Sequence, residues 1–311
     1  MVQHFSSLDG VNLENTWLTI GSFDGVHIGH QQLIRELNNQ AHQVGAKSVV
    51  LTFHPHPAVV LRGRTGAFYL TTVPEKVKYL DELGTDIVIS HPFTYEVSQS
   101  NARDFVAYLM KHLGFQQLWV GNDFALGKGR EGDINYLELL GRELLYILHV
   151  FEPIIIDGQK VSSSLIRTLL SEGKIVGVNR YLGRPYYLEG NVVHGDGRGK
   201  SIGIPTANIE TGSEKLIPAA GVYACKTLID GKVWPAAVNI GVRPTFQSTD
   251  LKSHVEAHIV DYTRDIYNER LSLEFLSRLR GEQRFLSVDE LINQIHKDIN
   301  STREEFRSSQ Y

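Results

Sequence analysis

Two fold classes are predicted within the 311 residues of this chain, a parallel α/β sheet in the first half and an antiparallel β-barrel in the second. In the first half, apolar runs of strand length alternate with stretches whose apolar residues recur at helical spacing. Beyond about residue 185, short alternating runs separated by glycine turns replace this pattern. A chain of this length is long for one core. We therefore predict an α/β domain over 1–182 and a barrel domain over 183–311.

The composition is that of an ordinary globular protein. Hydrophobic residues make up 42% of the chain and the formal net charge is −4, which argues against a general nucleic-acid binder. No apolar run approaches the roughly 20 residues of a membrane span, and the N-terminus lacks a basic region followed by an apolar run. The single cysteine, Cys225, cannot form an internal disulfide. We expect a cytoplasmic protein, a monomer or weak homo-oligomer, without nucleic-acid or membrane partners.

The first candidate site is a glycine-containing turn between a strand and a helix. The run at 17–20 has strand length, Gly21 and Gly25 mark a turn, and apolar residues at helical spacing follow from Leu33. Such a turn lets the backbone approach a phosphate closely, and the N–H groups and dipole at the start of a helix favour the anion. An ordinary helix cap is the alternative interpretation.

Two histidines, His27 and His30, stand at the start of that helix. They are three residues apart, so both rings can face the same side, and Gly29 between them leaves room for a bulky ligand. Two imidazoles above a helix N-terminus suit a triphosphate whose α-phosphorus gains negative charge in the transition state. Alone they could equally be surface histidines at a helix cap, but the flanking glycines favour a nucleotide site.

The strand predicted at 48–53 ends in the loop His54-Pro55-His56-Pro57. Two prolines cannot continue a central strand, so this loop lies at the strand's carboxyl end, where ligands of open α/β sheets bind. We interpret the two histidines as parts of a rigid polar turn, with direct catalysis or a metal pair as the alternatives.

The next helix is predicted by a capping box formed by Thr72 and Glu75, with Pro74 at the first helical position. The residues that this helix is expected to bury are Val77, Leu80 and Leu83. Further elements are predicted as strands at 87–89, 118–120 and 146–150 and a helix at 105–113. This alternation of strands and helices predicts a parallel sheet with right-handed crossovers.

Two further polar stretches of the first half can hold phosphate. A glycine-rich loop after the strand at 118–120 contains Asn122, which could donate to a phosphate or read a nucleotide edge, although a mobile solvated loop is the alternative. A helix then starts after Ser162 and Ser163, and Arg167 follows one turn later. Serines at a helix start are ordinary caps, but the arginine is what a phosphate clamp would add.

The second half predicts a six-stranded antiparallel barrel closed by a helix. A strand is predicted at 186–193, and two longer runs flank Asp230 and Gly231, a strong hairpin signal. Ser287 and Glu290 form a capping box at the start of the last helix. The apolar residues that line one face of this helix are Leu291, Ile292, Ile295 and Ile299.

The barrel also carries two unusual stretches. Gly195 and Gly197 permit close backbone approach to phosphates and Lys200 supplies a counter-charge, although a flexible hairpin loop would explain the glycines alone. Further on, strand alternation places His254 and Glu256 on one polar face, which is usually solvent-exposed.

Five segments together resemble the bacterial bifunctional riboflavin kinase/FMN adenylyltransferase (FAD synthetase) family. The segment 21–30 (GSFDGVHIGH) resembles the first motif of the HxGH nucleotidyltransferase superfamily, in its FAD synthetase branch. The segment 161–167 (VSSSLIR) resembles the second motif, and 121–127 (GNDFALG) resembles a family loop in which the second aromatic is replaced by leucine. The segments 205–208 (PTAN) and 255–261 (VEAHIVD) resemble riboflavin kinase signatures.

For the first domain, a Rossmann-like HxGH nucleotidyltransferase fold, the resemblance implies that FMN and ATP are converted to FAD and pyrophosphate. His27 and His30 would be catalytic, and Asn122 would help to hold ATP and FMN. The β,γ-phosphates would be bound by Ser162, Ser163, Ser164 and Arg167. The remaining nucleotide-binding residues implied for this domain are Gly21, Phe23, Gly25 and Gly29.

For the barrel, the resemblance implies phosphorylation of riboflavin by ATP to give FMN. Glu256 would be the base that accepts the proton of the 5′-hydroxyl. Thr206 and Asn208 would hold Mg²⁺ through hard oxygen ligands. The remaining phosphate-binding residues implied here are Gly195, Gly197 and Lys200. Two other functions stay open, an HxGH nucleotidyltransferase with another acceptor and a flavin-binding regulator.

Overall fold

The computed structural model of the chain describes residues 1–195, 199, 203–244 and 251–309, with the backbone alone at 242–244 and 251–253. Contacts divide the chain into two units, Met1–Ser163 and Ser164–Tyr311. The boundary at 182/183 stays a prediction. Among the described residues, no helix combines the length and the apolar character that a membrane span requires.

The sheet of the first unit has six strands, and all of them run parallel, as the alternating pattern predicted. In chain order they are β1 (Gln3–Phe5), β2 (Thr16–Ile20), β3 (Lys47–Phe53), β4 (Ile87–His91), β5 (Phe115–Gly121) and β6 (Ile147–Phe151). Their spatial order is β1-β4-β3-β2-β5-β6. The chain therefore moves outward from β2 in both directions, which makes the carboxyl end of β2 the place where such sheets bind ligands. The edge strand β1 carries no apolar alternation, and the sequence did not predict it.

The helices of this unit are α1 (Ile28–Gln43), α2 (Pro57–Arg62), α3 (Val73–Glu82), α4 (Tyr95–Gln99), α5 (Ala102–Leu113) and α6 (Ile134–Leu144). Buried side chains form one cluster on each face of the sheet. In one cluster Leu109 of α5 joins Leu18 of β2, and in the other Ile34 of α1 joins Trp17 of the same strand. Successive residues of β2 thus serve opposite faces, so the strand is buried on both sides.

The helix α3 departs from its prediction in two respects. Its capping box between Thr72 and Glu75 is confirmed, but Pro74 occupies the second helical position because the helix begins at Val73. Its buried residues are Glu75, Lys76 and Leu80, whereas Val77 and Leu83 are half-buried. The helix therefore turns a lysine towards the interior.

The second unit contains the predicted six-stranded antiparallel barrel, closed in the order β10-β13-β12-β11-β14-β9. A two-stranded hairpin, β7 (Ile155–Ile156) and β8 (Gln159–Lys160), ends the first unit, and the helices α7 (Ser163–Ser171) and α8 (Ile175–Leu182) follow it in the chain. The barrel strands are β9 (Tyr186–Val193), β10 (Ala207–Thr211), β11 (Gly221–Ile229), β12 (Lys232–Pro244), β13 (Leu251–Ile259) and β14 (Arg270–Arg280). Asp230 and Gly231 have φ of 51° and 74° in a two-residue hairpin turn, as predicted.

The barrel is packed by helices on its outside and by side chains within. Asn179 of α8 donates to the carbonyl of Phe275 in β14 at 2.8 Å. The terminal helix α9 (Val288–Ser308) is capped by Ser287 as predicted, since the Ser287 hydroxyl accepts from Glu290 N at 3.2 Å. The Glu290 carboxylate accepts from Leu286 N, one residue earlier than in a capping box. Cys225 in β11 is fully buried, and burial raises the pKa of its thiol well above the usual value. On α9, Ile299 is buried, while Leu291, Ile292 and Ile295 are half-buried.

Candidate active sites

The turn from Gly21 to Gly25 lies at the carboxyl end of β2, where the order of the strands reverses. Phe23 and Val26 have φ of 44° and 38°, and Gly25 has φ of 83°. A Cβ at Gly21 would lie 2.9 Å from the Phe23 ring, so only glycine fits beneath that ring. The chain therefore makes a tight, left-handed turn at the ligand-binding edge of the sheet.

His27 and His30 lie together at the start of α1. Their rings stack with centroids 3.6 Å apart, and Phe23 meets the His30 ring edge-on at 5.1 Å. Nδ1 of His27 accepts a hydrogen bond from His30 N at 3.3 Å, so a neutral His27 carries its proton on Nε2. A Cβ at Gly29 would lie 3.2 Å from Cε1 of His27, which explains the glycine between the histidines. His27 is buried and His30 is half-buried.

The turn is held from behind by the segment that leads into α3. The buried carboxylate of Asp24 accepts from the backbone N–H groups of Leu70 and Thr71 at 3.0–3.1 Å. The Thr71 hydroxyl accepts in turn from Gly25 N at 2.9 Å. Because these groups are buried, each bond also avoids the cost of an unsatisfied polar atom. The sequence pattern did not predict these contacts, because Asp24 lies 46 and 47 residues from Leu70 and Thr71.

Lys76 of α3 reaches the same turn from the interior. Its Nζ donates to the carbonyl of Ser22 at 2.7 Å and to Oγ1 of Thr52 at 3.0 Å. The Thr52 hydroxyl donates to the same carbonyl at 3.0 Å. Burial lowers the pKa of Lys76 from 10.5 to about 8, and the charge of Asp24 opposes this shift. The ammonium is therefore still protonated at neutral pH.

A hydrogen bond joins the serine motif to the first motif. Oγ of Ser163 donates to the backbone carbonyl of Asp24 at 2.8 Å. Ser163 opens α7, Ser164 follows as an exposed residue, and Arg167 lies one turn further along the helix. The phosphate-binding roles of Ser162, Ser164 and Arg167 stay predictions.

The loop after β5 is tied down by polar contacts. The amide of Asn122 donates to the Glu152 carboxylate at 3.0 Å. Asp123 pairs with Lys160 of β8 at 2.7 Å, and this hydrogen bond holds the pKa of the Asp123 carboxyl below its usual value. The guanidinium of Arg130 donates to the Asp123 carbonyl at 2.8 Å. Asn122 thus sits at the sheet edge predicted for it, and its contact with a nucleotide stays a prediction.

The loop after β3 combines a turn with a helix cap. Nδ1 of His56 accepts from Ala58 N at 3.0 Å at the start of α2, and His56 N donates to the Tyr69 hydroxyl at 2.9 Å. His54 lies 5.5 Å from the ring of Tyr69. His56 therefore has a structural explanation, in line with the polar-turn interpretation.

In the barrel, two residues implied for the kinase site lie opposite each other on neighbouring strands. Asn208 of β10 is the register partner of Glu256 of β13. Nε2 of His254 lies 2.8 Å from Oε1 of Glu256, on the same polar face of the strand. Strand alternation predicted that His254 and Glu256 share this face, but it did not predict the contact between their side chains.

Two glycines lie close to the side chains of Asn208 and Thr206, which are the implied Mg²⁺ ligands. A Cβ on Gly195 would collide with the amide of Asn208, and one on Gly199 would lie 3.2 Å from Oγ1 of Thr206. The neutral oxygens of these side chains, next to Glu256, form the hard donor set that suits Mg²⁺ when phosphates supply the negative charge. The predicted residues that lie outside the described part of the chain are Gly197 and Lys200.

A cavity of about 360 Å³ opens beside Thr206. Its walls include Ala257, Ile266 and Tyr267, and the Tyr267 ring stacks on His194 with centroids 3.9 Å apart. Apolar walls with an aromatic face and a polar rim are typical of small-molecule sites.

Comparison with known proteins covers nearly the whole chain. A family model described as FAD synthetase matches residues 10–165, and one described as riboflavin kinase matches residues 182–306. A bifunctional riboflavin kinase/FMN adenylyltransferase of Listeria monocytogenes is 37% identical over 295 residues, 93% of this chain and 92% of that protein. The protein of the same description from Escherichia coli K12 is 34% identical over 308 residues, 98% of this chain and 97% of that one.

A solved structure supports the fold. A crystal structure described as a macrolide-efflux protein from Streptococcus pneumoniae matches with a TM-score of 0.88 and 27% identity, covering 96% of this chain and 98% of that chain. The efflux description belongs to that protein, and the likeness concerns the arrangement of strands and helices.

Proposed function

Because the chain belongs to the bifunctional riboflavin kinase/FMN adenylyltransferase family, we propose that it converts riboflavin to FMN in the barrel and FMN to FAD in the parallel-sheet unit. The observation that carries this proposal is the presence of two polar sites, one in each half of the sequence. Stacked His27 and His30 mark the first, and Asn208 beside Glu256 marks the second.

In the first unit, a phosphate oxygen of FMN attacks the α-phosphorus of ATP, and pyrophosphate leaves. No protein nucleophile is required, so the acceleration of adenylyl transfer comes from positioning of the substrates and stabilisation of the developing charge. Nε2–H of His27 and the His30 ring donate to the oxygens that gain charge, above the N-terminus of α1. The tight turn at Gly21 and Gly25 brings backbone close to the triphosphate.

Residues of the second motif complete this site. We assign the β,γ-phosphates to Ser162, Ser163, Ser164 and Arg167, and the nucleotide or flavin edge to Asn122. The hydrogen bond from Ser163 to the Asp24 carbonyl supports a common site, because it joins the two motifs. Further nucleotide contacts are assigned to Phe23 and Gly29.

In the barrel, Glu256 accepts the proton of the riboflavin 5′-hydroxyl, whose oxygen attacks the γ-phosphorus of ATP while ADP leaves. Thr206 and Asn208 would hold Mg²⁺, which neutralises phosphate charge when bound. We assign the cavity beside Thr206 to the nucleoside of ATP, since its apolar walls, which include Ala257 and Ile266, suit a flat ring system. The glycine-rich stretch with Gly195, Gly197 and Lys200 would cover the phosphates.

We expect the enzyme to act in the cytoplasm on these small molecules, as a monomer or weak homo-oligomer without nucleic-acid or membrane partners. The test is to incubate purified protein with riboflavin, ATP and Mg²⁺ and to separate the flavins over time. Riboflavin should be replaced first by FMN and then by FAD.

Two variants separate the sites. Glu256→Ala should stop FMN formation and still convert supplied FMN to FAD. His30→Ala should accumulate FMN without FAD. Loss of both steps in each folded variant would contradict two independent sites. Adenylylation of another acceptor in place of FMN would favour a different nucleotidyltransferase, and flavin binding without turnover would favour a regulator.

A further inference from the structure

Lys76 occupies a position that packing alone does not favour. It is 4% exposed on α3, where Leu80, one turn further along, belongs to the hydrophobic core. An apolar side chain would fill the same space without removing a charge from water. A buried lysine at this place therefore calls for a reason beyond stability.

The contacts of Lys76 converge on one peptide group of the phosphate-binding turn. Its Nζ and the Thr52 hydroxyl both donate to the carbonyl of Ser22, at 2.7 and 3.0 Å. The ammonium also donates to Thr52 at 3.0 Å, which closes a triangle of three hydrogen bonds. Two donors on one carbonyl fix the direction of that C=O group.

The direction of this carbonyl determines where the next N–H points. In a trans peptide the C=O and N–H bonds lie in one plane and point in opposite directions. Because the Ser22 carbonyl is turned back towards Lys76, the Phe23 N–H points away from Lys76. Asp24 and Gly25 are fixed next to it by Leu70 and Thr71.

We propose that Lys76 is a positioning residue of adenylyl transfer: its ammonium holds the Ser22 carbonyl away from the ATP phosphates and so directs the Phe23 N–H towards them. The inference rests on the proposed function of the first unit.

The test is Lys76→Met, which keeps the length of the side chain and removes the ammonium. The matched control is Lys78→Met, because Lys78 lies on the same helix and is exposed. Both variants are assayed for FMN adenylylation and for riboflavin phosphorylation in the full chain. We expect Lys76→Met to lower kcat/KM for ATP in adenylylation by about 100-fold, the loss typical of a misplaced reacting group.

The KM values distinguish positioning from folding. A variant that is merely less folded would lose kcat in proportion and keep both KM values. A misplaced turn should raise KM for ATP at least tenfold and leave KM for FMN unchanged. Riboflavin phosphorylation and the Lys78→Met variant should match wild type.

A second variant covers the case in which Lys76→Met does not fold. Thr52→Val removes the other donor to the Ser22 carbonyl with little change of shape, and it should raise KM for ATP in the same reaction. In the double variant the two losses should be less than additive, because both act through one carbonyl.

Unchanged KM for ATP in folded Lys76→Met, or in Thr52→Val when the lysine variant does not fold, would overturn the inference. If wild type itself makes no FAD from FMN and ATP, the proposed function fails and the inference fails with it. If wild type forms FAD and the variants keep the wild-type KM for ATP, the inference is overturned and the proposed function stands.

Discussion

The two proposed sites of this chain are supported by different means. In the first unit, buried Asp24 and Lys76 fix the turn between Gly21 and Gly25, the proposed phosphate site, through contacts with the start of α3 and with β3. In the barrel, the register of two strands places Asn208 beside Glu256, and Gly195 leaves the room they need. A turn held by buried charges should respond to substitutions that never touch the ligand. A site set by register should respond mainly to changes beside it.

The largest expected loss of stability comes from Asp24→Asn. The amide presents an NH₂ group where two backbone N–H groups converge, and it leaves the Lys76 ammonium without a buried counter-charge. Breaking such a pair costs about 3–5 kcal/mol. Urea unfolding followed by the fluorescence of Trp17 and Trp119 should report this loss in the first unit.

The control for that substitution is Asp9→Asn, since Asp9 is an exposed carboxylate of the same unit. Riboflavin phosphorylation by Asp24→Asn should remain, as the barrel does not contain this residue. A change below about 1 kcal/mol would show that buried charges do not hold the turn, and the contrast between the two sites would then fail.

A somewhat smaller change in the free energy of unfolding is expected when the pH is varied. The pKa of Lys76 is about 8 in the folded chain and near 10.5 when exposed. Between these values the unfolded chain binds one more proton, so Lys76 makes the free energy of unfolding rise with pH, by about 3 kcal/mol over this window. Below pH 8 the lysine is protonated in both states and the contribution levels off.

Urea unfolding of wild type and Lys76→Met at several pH values isolates the contribution of Lys76 to the pH dependence of the free energy of unfolding. Burial raises the pKa of Tyr146 as well, which makes stability fall at alkaline pH, but that residue titrates in both proteins. The difference between the two curves should therefore grow between pH 8 and 10.5. Parallel curves would mean that Lys76 titrates as an exposed lysine.

The smallest effect is expected in the barrel, from Gly195→Ala. The new methyl group would collide with the Asn208 amide. Displacing that side chain should lower riboflavin phosphorylation about tenfold, some 1.4 kcal/mol, while FMN adenylylation stays at its wild-type rate. Gly212→Ala is the matched control, because a Cβ there meets nothing within 4 Å. Equal activities in the two variants would show that Asn208 is not placed by this contact.

Periodicity and turn residues were enough to predict both fold classes. The strand at 186–193 and the hairpin at Asp230 and Gly231 were predicted without error, because alternation and turn chemistry are local signals. The edge strand β1 was missed because three residues without apolar alternation form a strand only through pairing with β4.

The sequence predicted the motifs of the first candidate site, but it did not predict the buried contacts that hold its turn in place. Lys76, Leu80 and Leu83 stand at i, i+4 and i+7, so the spacing already placed a lysine on the buried stripe of α3. We assigned Val77 to that stripe instead, since an apolar residue is the default occupant of a core. The contacts of Lys76 with Ser22 and Thr52 join positions 24 to 54 residues apart, and local patterns contain no information about them.

The buried thiol of Cys225 gives the barrel a reporter of its own opening. A thiol reacts as its thiolate, and both complete burial and a raised pKa suppress that form in the folded chain. The rate at which a thiol reagent modifies the protein therefore measures how often β11 becomes accessible. Because the first unit contains no cysteine, the modification follows the kinase half alone, and ligands that bind the barrel should slow it.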